Sequence, residues 1–222
     1  MRRVAPFALI LVLFLAALGR DALEDWIVET QLPSVLPVTS VEVRDRDNIL
    51  LRAYTVEDGR WRLGTTPSQV DPRFLEMLIA YEDKRFFEHI GVDGWAMLRA
   101  GKQALTNGKV VSGSSTLTMQ VARLLEQSGT GAWGGKLRQL RVALRLEREL
   151  SKPEILQLYL TLAPYGGNIE GVRAASLSYF GKEPGRLTAA QAALLVALPQ
   201  APEARRPDVN LSAAIKARQI VL

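Results

Sequence analysis

The chain has 222 residues, enough for one core and an appendage, and its 48% apolar and 23% charged composition is that of a folded globular protein. It contains no cysteine and a single histidine, His89, which excludes disulfides, thiolate zinc sites, cysteine nucleophiles and multi-histidine metal centres. An excess of 28 Lys and Arg over 23 Asp and Glu gives a net charge of +5 and favours an anionic partner, while any metal would be a hard one held by oxygen.

Arg2 and Arg3 precede an apolar run from Val4 to Leu18, closed by Arg20 and Asp21. Fifteen helical residues span roughly 22 Å, which just crosses a bilayer if Gly19 and snorkelling arginines help. A cleaved signal peptide has the same layout, with Ala17-Leu18-Gly19 at the cleavage position. Residues 1–20 are therefore expected to be a single transmembrane signal anchor or a signal peptide. Either way the rest is placed on the outer face of the cytoplasmic membrane, which removes nucleic acid as the anionic partner.

Residues 21–70 read as a linker. A short helix over 21–32 ends at Pro33, and Val41–Arg44 with Ile49–Tyr54 forms a β-hairpin around Asp45–Asn48. A weaker strand surrounds Trp61. Residues 71–222 read as helices. Asp71 caps a helix with Pro72 in its first turn, and the period of Phe74, Leu75, Leu78 and Ile79 brings Glu82 and Asp83 to its end. Further helices are expected at about 93–106, 115–126, 136–150, 152–161, 170–179, 188–198 and 211–222. Two of them carry capping boxes, Ser151…Glu154 and Thr188…Gln191. The last has no stop signal, as expected of a chain cut from a longer protein.

Three segments carry chemistry. Glu82–Asp93 gathers carboxylates, two cations and His89 at a helix end, where partial burial suits a general base; by composition alone it also reads as a solvated helix end with a capping turn at Gly91. His89 by itself reads as a loop histidine bonded to backbone. Gly113–Gln120 sets hydroxyls ahead of a helix bearing Gln120 and Arg123, which suits either an anion or plain capping by Ser114 or Ser115. Arg138, Arg141, Arg145 and Arg148 form one stripe, expected to be solvated or to lie against anionic lipid, with Lys136, Gln139 and Ala143 opposite.

Together these segments resemble the peptidoglycan glycosyltransferase domain, glycosyltransferase family 51, of class A penicillin-binding proteins and monofunctional transglycosylases. The resemblance covers about residues 40–222. Glu82-Asp83-x-x-Phe86-x-x-His89-x-Gly91 is similar to the first motif and Gly113-x-Ser115-Thr116-x-Thr118-x-Gln120 to the second. Lys152-x-Glu154-Ile155-Leu156-x-x-Tyr159-Leu160 is similar to the fourth. Gly171-x-x-x-Ala175 with Tyr179–Lys182 resembles the fifth, and Leu198-Pro199-Gln200-Ala201-Pro202 also fits.

The resemblance implies a mainly α, lysozyme-like fold with a small N-terminal hairpin, and an enzyme that polymerises lipid II into glycan strands. The acceptor 4-hydroxyl would attack the sugar carbon bearing undecaprenyl pyrophosphate, with inversion. Glu82 would be the general base, with Asp83 and His89 shaping its surroundings. His89, Ser115, Thr116, Gln120, Arg123, Lys136 and Gln139 would face substrate and pyrophosphate, helped by a divalent cation (Mg²⁺ or Mn²⁺) and no organic cofactor. Partners implied are lipid II, the growing strand, the membrane, a C-terminal transpeptidase domain and other wall-synthesis proteins.

The third motif departs from the usual Arg-Lys-x-x-Glu: here it reads Gly135-Lys136-Leu137-Arg138-Gln139, so the second acidic residue is an amide. Met119, Gln157 and Thr161 also depart. The Gly-Lys-x-Arg-Gln, Thr-Met-Gln and Ala163-Pro164-Tyr165-Gly166-Gly167 segments resemble the 1C branch. Gln139 motivates one alternative, a non-catalytic module that holds lipid II. The fold motivates another, a lysozyme-type muramidase, which would need Asp83 or Glu88 as its second carboxylate.

Overall fold

The computed structural model describes residues 4–107, 115–126 and 133–222. Helix α1 runs unbroken from Val4 to Val28, so the boundary at residue 20 falls inside it. Arg20 and Asp21 face solvent as an ion pair and no proline follows Pro6 of the first turn, which is why the apolar run and the linker helix merge. Phe7 and Leu9 to Leu15 are exposed along its first half. Among the described residues, no helix is long and apolar enough to cross a membrane.

The expected hairpin forms. β1 (Glu42–Arg44) pairs antiparallel with β2 (Leu50–Ala53), with an irregularity at Val43/Arg44. Its turn is held by Asp45, whose carboxylate accepts from the amides of Asp47 and Ile49. Arg173 ties the hairpin to the body by donating to Glu42 and Glu183. β3 (Trp61–Arg62) pairs parallel with β4 (Ile169–Glu170), and Arg62 bonds Glu170 across them. β4 lies where the sequence placed the start of a helix. Gly171 delays that helix: it sits at φ +83°, and a Cβ there would come within 2.7 Å of the Thr161 carbonyl oxygen.

The helical body comprises α2 (Pro72–Glu82), α3 (Gly94–Asn107), α4 (Leu117–Glu126), α5 (Trp133–Glu149) and α6 (Lys152–Leu162), followed by α7 (Val172–Phe180), α8 (Ala189–Ala197) and α9 (Leu211–Val221). Asp71 caps α2 as expected, its carboxylate accepting from the Arg73 amide at 3.0 Å. In the Ser151 box the Glu154 carboxylate accepts from both the amide and the hydroxyl of Ser151. Thr188 and Gln191 cap α8 reciprocally.

α6 is apolar almost all round and lies in the middle of the body, burying Ile155, Leu156, Leu158, Tyr159 and Leu160. Phe74 and Leu78 of α2, Val121 of α4, Val142 and Leu146 of α5 and Leu195 of α8 complete one continuous core with it. Phe86, in the turn after α2, is fully buried in the same core, which pins that turn in place.

The arginine stripe is solvated in part: Arg138 and Arg148 are exposed, whereas Arg141 and Arg145 are half-buried. Arg141 stacks its guanidinium 4.8 Å from the centre of the Trp26 ring and donates to the Trp26 carbonyl at 2.7 Å. Arg148 donates to Glu24 at 2.6 Å, Arg145 pairs with Glu149 and Arg138 with Glu126. The last turns of α1 supply the partners of Arg141 and Arg148, while Arg145 pairs within α5 and Arg138 with α4.

Candidate active site

The end of α2 meets the start of α4. Asp83 is the residue after α2, and its buried carboxylate accepts from the Leu117 amide at 2.9 Å, at the first turn of α4. The same carboxylate accepts from His89 Nε2 at 2.9 Å, while His89 Nδ1 accepts from the Gly91 amide. Nε2 is therefore the protonated nitrogen of the neutral ring. Gly91 packs on α5 at φ +96°, where a Cβ would lie 2.8 Å from the Ala143 carbonyl oxygen. Thr116 completes the joint: its hydroxyl donates to the Gly91 carbonyl at 2.6 Å and accepts from the Met119 amide. Asp83, His89 and Thr116 are thus braces with their polar atoms committed, and His89 borders neither of the recesses described next.

This joint leaves Glu82 facing outward where two recesses meet. The first, about 610 Å³, is bordered by Tyr81, Glu82, Lys84, Arg85, Asp93, Arg99, Ser115 and Gln120. The second, about 520 Å³, is bordered by Glu82, Met119, Arg123, Lys136, Gln139 and Pro199. Glu82, Ser115, Gln120 and Gln200 border both. The Glu82 carboxylate accepts from Gln120 Nε2 at 2.8 Å on one oxygen and from Gln200 Nε2 at 2.9 Å on the other. Two neutral amides fix its position without neutralising it.

The second recess is cationic. Lys136 Nζ bonds the Ser115 hydroxyl, and burial, then the neighbouring Arg123 charge, holds its pKa below the usual lysine value. One helical turn on, Gln139 is buried, and its Nε2 has no hydrogen-bond partner among the described residues. Tyr159 and Tyr165 lie buried close enough to Glu82 to feel its charge; burial first, then that charge, raises both phenol pKa values. In the first recess Asp93 is paired with Arg85 and accepts from the Ala96 amide; these outweigh its burial and hold its pKa below the usual aspartate value.

Among the described residues no group of three or more His, Asp or Glu side chains is placed to hold a metal. The carboxylates bordering the recesses are Glu82, Asp83 and Asp93, and each already accepts the bonds just described. The donor set of the second recess, two cations and neutral amides around one carboxylate, does not match the oxygen-rich shell that Mg²⁺ or Mn²⁺ requires.

Of the residues the sequence singled out, Glu82, Ser115, Gln120, Arg123, Lys136 and Gln139 come together. Ser114, the alternative cap, lies outside the described residues, and Thr116 is the residue that caps α4. Gln200 had no assigned role, although the segment holding it was noted. Its position depends on a single 3₁₀ turn, Leu198–Gln200, that brings it back to Glu82 across 118 residues of chain.

A transglycosylase family model matches residues 48–222. The chain belongs to the transglycosylase family. It is 48% identical over 218 residues to penicillin-binding protein 1C of Escherichia coli K12, covering 98% of this chain and 27% of that protein. Penicillin-binding protein 1A of the same organism is 35% identical over 201 residues, covering 88% and 23%. The crystal structure of penicillin-binding protein 1A from Haemophilus influenzae superposes with a TM-score of 0.42 and 18% identity, covering 86% of this chain and 18% of that one. The chain therefore spans about a quarter of the length of the curated relatives it matches. Its higher identity to the 1C protein bears out the branch indicated by the third motif and by the Ala163–Gly167 segment.

Proposed function

We propose that the chain is a peptidoglycan glycosyltransferase that polymerises lipid II, with Glu82 as its general base. The observation that carries this reading is the position of one unneutralised carboxylate at the seam between an open recess and a cationic one. The acceptor sugar would enter the first recess and the donor's diphosphate the second. Glu82 takes the proton of the acceptor 4-hydroxyl as that oxygen bonds to the donor C1 from the face opposite the leaving group. The C1–O bond breaks, the anomeric centre inverts, and the electron pair leaves on undecaprenyl pyrophosphate. A diphosphate leaves without protonation if its charge is met, and Arg123 and Lys136 are placed to meet it.

The muramidase reading lacks a partner carboxylate. Asp83 is committed to His89 and the Leu117 amide, Asp93 to Arg85 and the Ala96 amide, and Glu88 is exposed and borders neither recess.

The exposed apolar residues from Phe7 to Leu15 support α1 as a single-pass anchor in the cytoplasmic membrane, with the helical body on its outer face. Trp95 and Leu98 of α3, exposed near the first recess, support a second contact with the lipid surface. The relatives are named penicillin-binding proteins and are about four times as long as this chain, which supports a further, penicillin-binding portion in the full-length protein; a transpeptidase domain there and other wall-synthesis proteins as neighbours are part of the proposal.

The test is polymerisation of labelled lipid II in detergent. Glu82→Gln keeps the bonding geometry but cannot take a proton, so strand formation should fall by at least about a hundredfold with the circular dichroism spectrum unchanged. Undiminished turnover in that variant would remove Glu82 as the base. A folded wild type that binds lipid II without consuming it would turn the reading to a lipid II-holding module.

A further inference from the structure

We infer that Gln139 makes the diphosphate subsite of this chain independent of divalent metal, the leaving group being held directly by Arg123, Lys136 and the Gln139 amide. This rests on the transferase reading above and deepens it.

Lys136 and Gln139 stand three residues apart on α5 and both border the second recess. Gln139 is 4% exposed, and its Nε2 has no partner among the described residues. A buried amide left unpaired is costly, and the cost is removed when an acceptor oxygen arrives. Lys136 and Arg123 border the same recess, and burial first, then the Arg123 charge, disfavours the charged lysine, so an anion between them relieves both. A divalent cation in the same space would meet two fixed positive charges. It would find one carboxylate, Glu82, with both oxygens already accepting from amides. The protein thus supplies anion-binding donors where a glutamate at this position would supply a cation ligand, and a single amide sets which ion the recess accepts.

The experiment is titration of inorganic pyrophosphate into the detergent-solubilised full chain, first in EDTA and then with Mg²⁺. Wild type should bind in EDTA, and Mg²⁺ should not tighten binding. Gln139→Met, similar in volume but without donors, should weaken binding in EDTA roughly tenfold or more, the usual loss of a hydrogen bond to a charged group. Gln139→Glu should lose affinity in EDTA and regain it with Mn²⁺, and electron paramagnetic resonance should detect bound Mn²⁺ in that variant and not in wild type. Pyrophosphate binding by wild type only when Mg²⁺ or Mn²⁺ is present, no binding under either condition, or unchanged affinity in a folded Gln139→Met would each overturn the inference. The wild-type titrations need no variant, so they decide even where a substitution fails to fold. Metal-free pyrophosphate binding without lipid II turnover would strike the transferase reading and spare the cradle; turnover with metal-dependent binding would do the reverse.

Discussion

Gln200 reaches Glu82 from a 3₁₀ turn, and its own carbonyl oxygen is engaged by the Tyr81 hydroxyl at 3.1 Å and by Arg205 at 3.3 Å. The amide is therefore aimed in advance, and it holds the Glu82 carboxylate, the proposed base, on the oxygen that Gln120 does not bond. Gln200→Ala frees one carboxylate oxygen to turn. Lipid II turnover should drop by roughly ten- to a hundredfold, the expected loss when a reacting group is misplaced by about an ångström. The fall should appear in kcat more than in KM, with the thermal midpoint unchanged because Gln200 is exposed. Equal kcat values in steady-state assays of the two proteins would show that Gln120 suffices. At this scale the grouping of Glu82, Gln120 and Lys136 was legible only through the family resemblance, since residue type and spacing alone fit a solvated helix end and plain capping equally well. The role of Gln200 was not, because nothing local to residues 198–202 tells which side chain they return to. His89 shows the opposite limit: its place in a motif suggested contact with substrate, whereas both ring nitrogens are used inside the joint.

Elements rather than single side chains position Glu82. α2 begins at a strong cap and runs eleven residues to end on Glu82, so a loosened start is transmitted to the site. The Arg73 guanidinium, helped by the Arg73 amide and opposed by burial, holds the Asp71 carboxyl below its usual pKa. A carboxyl lowered in the folded state adds stability that is fully present above its unfolded value of 3.8 and is lost as pH falls through the folded value. Asp71→Ala should accordingly cost about 1 kcal/mol at neutral pH, in line with loss of an N-cap. Urea denaturation at neutral pH and again in strong acid should show the wild-type advantage shrinking in acid; a difference independent of pH would refute the electrostatic part. The helices were readable to within a few residues because proline, capping boxes and apolar period agree at their starts. β4 was not, since two residues carry no strand period and the pairing depends on a strand over a hundred residues earlier.

For the molecule as a whole, the arginine stripe marks where a reading from one helix stops. Spacing reveals that four basic side chains share a face, but not what lies opposite. Here part of the opposite surface is the end of α1, where Arg141 meets the Trp26 ring and carbonyl and Arg148 meets Glu24. Arg141→Ala removes both the stacking and the bond to the Trp26 carbonyl, a loss of about 1 kcal/mol at a partly exposed site. It should leave turnover of lipid II in detergent unchanged, where nothing depends on how α1 is held, and lower turnover in liposomes. Equal rates relative to wild type in both settings would show that the joint between α1 and α5 has no part in presenting the cleft to a bilayer.

That joint has a mechanical side. α5 carries the α1 contacts on one flank and Lys136 and Gln139 on the other, with no loop between them. If α1 is the proposed anchor, a sheet of lipid thick or thin enough to tip it would apply torque to the same rod that carries Lys136 and Gln139. Leverage of this kind would let the physical state of the surrounding lipid tune strand growth without any ligand binding to the protein.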